Sequence, residues 1–318
     1  MRMRLLCLLA STVALAAPAH AQPVTAPDES AADVVGYSAD QAARMTVPVS
    51  IGGKGPYRFI VDTGAERTVI ARELARELRL GPGNRTVLHS MTEVRETPTV
   101  LIPLLEVSKK AVRDIHAPAL ARANLGAEGM LGVDSLKAQR VLFDFVRQEM
   151  SISPSRTREP RWDSDTIVVT ARSRFGHLVL VDAAIEGEKV HVILDTGSEV
   201  TIGNDALRRR LAKRGKLRAT MPIELLSVTG GVTRADYTAV KTLRLGGVDI
   251  TDMPIAFAEV HPFRKLKLTD KPALLLGMDA LKLFERVSVD FATRKVRLLP
   301  HESSQADPPR RYAGRLVR

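Results

Sequence analysis

Two aspartates in this chain sit in the same local spelling. The first lies in Phe59-Ile60-Val61-Asp62-Thr63-Gly64-Ala65 and the second in Val192-Ile193-Leu194-Asp195-Thr196-Gly197-Ser198. In each, three apolar residues run into Asp-Thr-Gly and then a very small residue. A carboxylate at the mouth of an apolar strand is costly unless something holds it. Two of them in matched settings point to a pair that meets. Carboxyls at close range cannot both ionise cheaply, so such a pair shares a proton and its pKa values split. One Asp-Thr-Gly triplet occurs by chance in roughly one chain in twenty of this length; two copies with matching flanks are far rarer.

The elements that must position these residues repeat as well. Each apolar run reads as a buried strand bounded by turn formers. Ahead of the first, Val47, Val49 and Ile51 alternate and Gly52-Gly53-Lys54-Gly55 turns the chain back. Past Asp62, Ile70, Leu74 and Leu78 recur every four residues, which predicts a helix that stops at Gly81-Pro82. In the second half His177–Ala184 alternates, Glu186–Lys189 turns, and Asn204 or Asp205 caps a helix carrying Leu207 and Leu211. Met130-Leu131-Gly132-Val133-Asp134 recurs as Leu275-Leu276-Gly277-Met278-Asp279, and Phe143-Asp144-Phe145 as Val289-Asp290-Phe291. The Asp-Thr-Gly copies lie 133 residues apart (62 and 195) and the Leu-Gly copies 145 apart (132 and 277). A nearly constant offset means one unit present twice, the second with a modest insertion, and predicts a pseudo-two-fold pair within one chain.

Composition excludes several other chemistries. Arg2 and Arg4, the apolar stretch Leu5–Ala17 and Ala19-His20-Ala21 read as an export signal over residues 1–21, which implies a periplasmic or secreted protein without stable membrane insertion. Cys7 is the single cysteine and falls inside that signal, so the exported chain has no disulfide, thiol nucleophile or thiolate metal site. The formal charge is +11, but the basic residues are dispersed and no nucleic-acid motif accompanies them. The seven histidines are scattered without a His-x-x-x-His helix, and no Gly-x-Ser-x-Gly is present. No metal or cofactor is expected.

Each half resembles the retropepsin-like aspartic protease unit: an apolar pair, Asp-Thr-Gly-Ala/Ser, a helix, a flap region, apolar-apolar-Gly, a short helix and a closing strand. The resemblance spans residues 45–153 and 167–300. It implies a mostly β chain of two tandem acid-protease β-barrel domains, with the active site between them. The expected organisation is a signal peptide (1–21), a flexible lead-in (22–43), a first domain (44–153), a linker (154–165), a second domain (166–300) and a basic disordered tail (301–318). The resemblance assigns catalysis of peptide hydrolysis to Asp62 and Asp195, in a monomer that forms its own pseudo-dimer. Thr63 and Thr196 are expected to hydrogen-bond across the pseudo-dyad, and Gly64 and Gly197 to let N–H groups approach the carboxylates. Ser198 offers a hydroxyl where Ala65 offers none, so Asp195 is expected to be the more acidic partner. Asp134 and Asp279 are expected to cap short helices, and Asp144 and Asp290 to be structural. The flap candidates are Met91, Thr92 and Glu93, which lack glycine, and Thr229, Gly230 and Gly231. The rival reading is a pseudoprotease that holds an extended peptide without cutting it.

Overall fold

The structure, a computed structural model, describes residues 33–36, 38–39, 45–107, 110–159, 161–174, 177–180, 182–301 and 311–313. The signal peptide and most of the lead-in lie outside the described residues.

The alternation Val47/Val49/Ile51 builds the strand Met45–Ile51, with all three side chains at most 3% exposed. Gly52 and Gly53, at φ 56° and 75°, make the two-residue turn that such a hairpin requires. The return strand Lys54–Val61 grows more buried toward its end, where Phe59, Ile60 and Val61 are fully enclosed. Gly129–Leu131 runs parallel to it, Met130 beside Ile60 and Leu131 beside Val61. Val69–Ala71, Lys110–Leu120 and Thr99–Val107 continue the sheet, and pairing of Ile51 with Leu105 closes a six-stranded barrel. The second half repeats this order with two strands interrupted: His177–Leu180 and Ala183–Ile185 stand for the first strand, Glu188–Lys189 and His191–Leu194 for the second. Ala273–Leu276 runs parallel to His191–Leu194. The chain is therefore mostly β and built from two tandem units.

The two units share a third element. The closing hairpin of the first half, Gln139–Asp144 with Glu149–Pro154, pairs through Val141–Val289 and Phe143–Val287 with the hairpin Phe284–Asp290 and Lys295–Pro300 of the second. Asp33–Gly36 and Ile167–Thr170 add to its edges. Beneath this sheet Arg140 and Asp290 are 4% and 0% exposed. The guanidinium donates to Asp290 Oδ2 at 3.3 Å and to the Ser155 and Thr157 carbonyls at 2.9 and 3.2 Å, which ties down the start of the interdomain segment. Burial opposes the charge on Asp290, but the Thr293 N–H, the Ser155 hydroxyl and Arg140 outweigh it and hold the carboxyl below its usual range. Asp144 accepts from the Arg147 N–H in the hairpin turn.

Three sequence expectations shift. Ile70 belongs to a strand, and the helix that follows covers only Arg72–Glu77 with Leu74 and Ala75 buried, because the barrel claims Val69–Ala71 first. Residues 33–36 and 38–39, within the segment read as a flexible lead-in, form strands against Glu149–Ile152 and Met45–Thr46. Arg311–Ala313, within the segment read as a disordered tail, pairs with Asp249–Thr251. Asn204, not Asp205, is the helix cap, accepting from the Leu207 N–H at 2.9 Å.

Removing one member of a buried ion pair leaves the other uncompensated. Arg140→Met should lower stability by about 3 kcal/mol, read as a lower denaturation midpoint. Asp290→Asn should do the same at neutral pH. Because the Asp290 carboxyl is held low, its contribution is present above the ordinary carboxylate pKa and fades as pH falls through the folded value. The gap between wild type and Asp290→Asn should therefore narrow in acid.

Candidate active site

Each aspartate begins a tight loop hung from two parallel strands. The Asp62 N–H donates to the Leu131 carbonyl at 3.0 Å and the Asp195 N–H to the Leu276 carbonyl at 3.1 Å. Gly132 and Gly277 then pass directly behind the loops. A Cβ on Gly132 would lie 2.4 Å from the Arg67 carbonyl carbon, and one on Gly277 2.7 Å from that of Val200.

The threonines join the two loops. The Thr63 hydroxyl donates to the Leu194 carbonyl at 3.1 Å and accepts from the Thr196 N–H at 3.1 Å. The Thr196 hydroxyl donates to the Val61 carbonyl at 2.7 Å and accepts from the Thr63 N–H at 3.0 Å. Both side chains are at most 2% exposed, so each bond also satisfies a polar group that burial would otherwise penalise. This lattice brings the carboxyls of Asp62 and Asp195 close enough for each to act on the ionisation of the other. A Cβ on Gly64 would lie 2.6 Å from Asp195 Oδ1, and one on Gly197 2.2 Å from Asp62 Oδ2. Each glycine makes room for the carboxylate of the opposite unit.

The pair is electrostatically uneven. Burial, the negative charge of Asp62 and the hydrogen bond between the two push the Asp195 carboxyl well above its ordinary range, against the pull of the Gly197 and Ser198 N–H groups. Asp62 accepts from the Gly64 and Ala65 N–H groups at 2.7 and 2.9 Å, whereas Gly197 donates to Asp195 at 3.1 Å. Asp62 thus sits in the better hydrogen-bonded loop and Asp195 in the poorer one, the reverse of the sequence expectation. That expectation rested on the Ser198 hydroxyl, which donates to the Val200 carbonyl at 2.8 Å instead. A hydroxyl two residues from a free carbonyl satisfies that local acceptor first.

Asp134 and Asp279 are also placed differently from expectation. They lie inside their short helices and cap neither, with Gly132 and Gly277 at the cap positions. Asp134 accepts from the Thr68 N–H and hydroxyl at 2.9 and 2.7 Å, and Asp279 from those of Thr201 at 2.9 and 2.6 Å. Thr68 and Thr201 are 0% and 1% exposed. Each clamp fixes the far end of an aspartate loop. The signal was present in the sequence: Thr68 and Thr201 keep the 133-residue offset, and Asp134 and Asp279 the 145-residue offset.

Two hairpins close the cavity. The first flap, Thr86–His89 with Val94–Thr97, turns at Ser90–Glu93 without glycine, because the Ser90 N–H and hydroxyl donate to the Glu93 carbonyl at 2.9 and 3.1 Å. The second, Met221–Leu226 with the start of Val232–Leu245, turns through Gly230 at φ 88°. Their tips meet: the Thr229 hydroxyl donates to Ser90 Oγ at 3.3 Å, and a Cβ on Gly231 would lie 2.4 Å from Thr92 Oγ1. Gly230 packs on Asn124. The His261 N–H donates to the Met91 carbonyl at 2.9 Å. The cavity below is about 480 Å³ and reaches Asp62, Asp195, Gly64, Gly197, Ala65, Ser198 and Met91. Thr63 and Thr196 lie under its floor, and Glu93 faces Arg95 on the flap surface. Glu66, His89, His177, His261 and Lys265 also line it. Sequence reasoning missed all five, since scattered positions carry no spacing signal.

The arrangement is a proton-sharing carboxyl pair under a closed lid, suited to general acid–base chemistry on a bound water. A family model described as aspartyl protease matches residues 47–135 and 181–280, one match per unit. The chain belongs to the aspartyl protease family. Both matches contain an Asp-Thr-Gly loop and the Leu-Gly strand behind it, so the aspartyl protease framework accounts for the duplicated geometry. Comparison with curated proteins returned no match.

Gly197→Ala should abolish the carboxyl contact, because its Cβ would fall inside the Asp62 side chain. A displacement of this size costs on the order of 100-fold in rate, read as kcat/KM on any substrate the protein turns over. Ser198→Ala should leave the acid limb of the pH–rate profile in place, since its hydroxyl is spent on Val200.

Proposed function

We propose that this chain is an exported aspartic endopeptidase that hydrolyses extended peptides, the fused chain supplying both halves of one catalytic site. The observation that carries this reading is the close approach of two carboxyls, one from each unit, held by threonines that bond across the units beneath flaps that touch. Asp62, held ionised by two backbone N–H groups, takes a proton from a bound water as it attacks the peptide carbonyl. Asp195 gives its proton to the carbonyl oxygen, so charge does not accumulate on the tetrahedral intermediate. As the C–N bond breaks, Asp62 passes its proton to the leaving amine and Asp195 takes one back from a hydroxyl of the intermediate, which regenerates the pair, and no covalent intermediate forms. The titration belongs to the two groups jointly. The flaps hold the peptide extended and exclude water from the reacting bond. Export rests on the residue pattern of positions 1–21, which argues for action in the periplasm or outside the cell.

The test is cleavage of a diverse peptide mixture by the mature protein from about pH 4 to 7.5, read by mass spectrometry, beside Asp62→Asn and Asp195→Asn. Loss of cleavage in both variants, by at least about 100-fold each, is the expected result. Loss in only one would break the shared-site reading. Binding without cleavage by wild type at every pH would identify a peptide-holding pseudoprotease. Activity requires one proton on the pair. The alkaline limb, where Asp195 gives up its raised proton, should therefore lie above the ordinary carboxylate range.

A further inference from the structure

One end of the cavity departs from the repeat. In the first half Ile70 pairs with Ala119 and, ten residues later, with Gly129; in the second, Gly203 pairs with Phe257 and, seventeen residues later, with Leu274. The seven extra residues form the loop around the helix His261–Lys265. That loop is firmly seated. Phe263, Leu266 and Leu268 are at most 1% exposed, and the Asn204 amide donates to the Leu268 and Lys271 carbonyls at 2.8 Å each.

The insertion sets His261 and Lys265 against groups from three other elements. His89 of the first flap meets His261, Nδ1 to Nε2 at 2.8 Å, with the rings 12° from parallel and their centroids 5.0 Å apart. Those dimensions describe two rings sharing one in-plane hydrogen bond. Glu66, four residues past Asp62, receives Lys265 Nζ at 2.6 Å and faces His177 Nε2 at 3.7 Å. His177, the largest influence, and Lys265 lower the Glu66 carboxyl to about 2 against the opposing effect of burial. By the repeat, Leu226 stands where His89 does, each just before its flap-tip serine (Ser227 and Ser90), Glu199 stands where Glu66 does, and the shorter helix Arg122–Leu125, with Asn124, stands where His261–Lys265 does.

At the inserted end hydrogen-bond donors outnumber acceptors. Both oxygens of the one carboxylate already face cationic or imidazole nitrogen. Lys265 spends one of its three N–H groups on Glu66. The imidazole pair, whichever ring donates, keeps one outer N–H and one outer lone pair. His177 is 6% exposed, and with Nε2 turned to Glu66 its enclosed Nδ1 adds no donor to the cleft. Burial, more than the neighbouring positive charges, holds His89 and His261 below the ordinary histidine value, so the donors this end offers are the remaining N–H groups of the Lys265 ammonium and one outer imidazole N–H. The group that complements such a surface is a pure acceptor with its own negative charge.

We propose that the end of the cleft bounded by His89, His177, His261 and Lys265 is a subsite for an acidic side chain, Asp or Glu, on one side of the cleaved bond. This rests on the peptidase reading only for the words "cleaved bond"; the subsite itself is a binding property. Lys265 and Glu66 are then specificity residues with opposite signs, Lys265 attracting the acid and Glu66 competing for Lys265.

The test uses the full mature chain carrying Asp195→Asn, so that binding is measured without turnover. Octapeptides with Glu or Gln placed at each position in turn are titrated by calorimetry. At one position Glu should bind about tenfold more tightly than Gln, the ordinary gain for a charged over a neutral acceptor. Adding Lys265→Met should erase that ratio, and adding Glu66→Gln should raise it by freeing Lys265. A merely structural role would move both variants in the same direction, and that result overturns the proposal. So does an equal affinity for Glu and Gln at every position. A clear Glu preference in binding, with no cleavage by wild type at any pH, would leave the subsite standing and remove the peptidase reading.

Discussion

The constraint on which this structure depends is the approach of two carboxyls in a buried setting. Left apart, each would be a lone acid at the end of an apolar strand and would be costly there. Brought together, they stabilise one shared proton, but only if the backbone permits contact. Gly64 and Gly197 permit it, because any side chain at either position would occupy the opposite carboxylate. Thr63 and Thr196 enforce it, because each hydroxyl is fully used across the interface. Behind them, the parallel Leu-Gly strands and the Thr68–Asp134 and Thr201–Asp279 clamps fix both ends of each loop. The shared sheet, with Arg140 and Asp290 buried beneath it, sets the distance between the units.

Much of this was legible in the residues. Asp-Thr-Gly with matched flanks, the apolar strands leading into it and the Leu-Gly segments behind it form a pattern of types and spacings, and the structure assembles them as a pair. The glycine-containing second flap was legible for the same reason. The rest depended on atoms whose direction no spacing specifies. Ser198 could reach Asp195 or Val200 with a small change of rotamer, and only the nearby carbonyl decides. Asp134 precedes a helical turn in sequence like any cap, yet its oxygens face Thr68, because the barrel brings that residue to it. The first flap turns without glycine because Ser90 closes it from the side chain, a solution that looks like ordinary polar sequence. His89, His177, His261 and Lys265 lie at unrelated positions and become neighbours only when the units fold against each other.

Fusion of the two units explains why the site can be uneven. In a symmetric pair of identical chains every donor near one carboxylate has a copy near the other, and an insertion in one subunit appears in both. A single chain escapes this. Here Asp62 gains closer N–H contacts than Asp195, so the two carboxyls differ in their surroundings. The same freedom allowed seven residues to be added to one unit alone, at the point where the loop overhangs the cleft. The duplicated chain retains the symmetry where the carboxyls must meet, and departs from it in the N–H contacts around each carboxyl and in the longer loop that holds His261–Lys265.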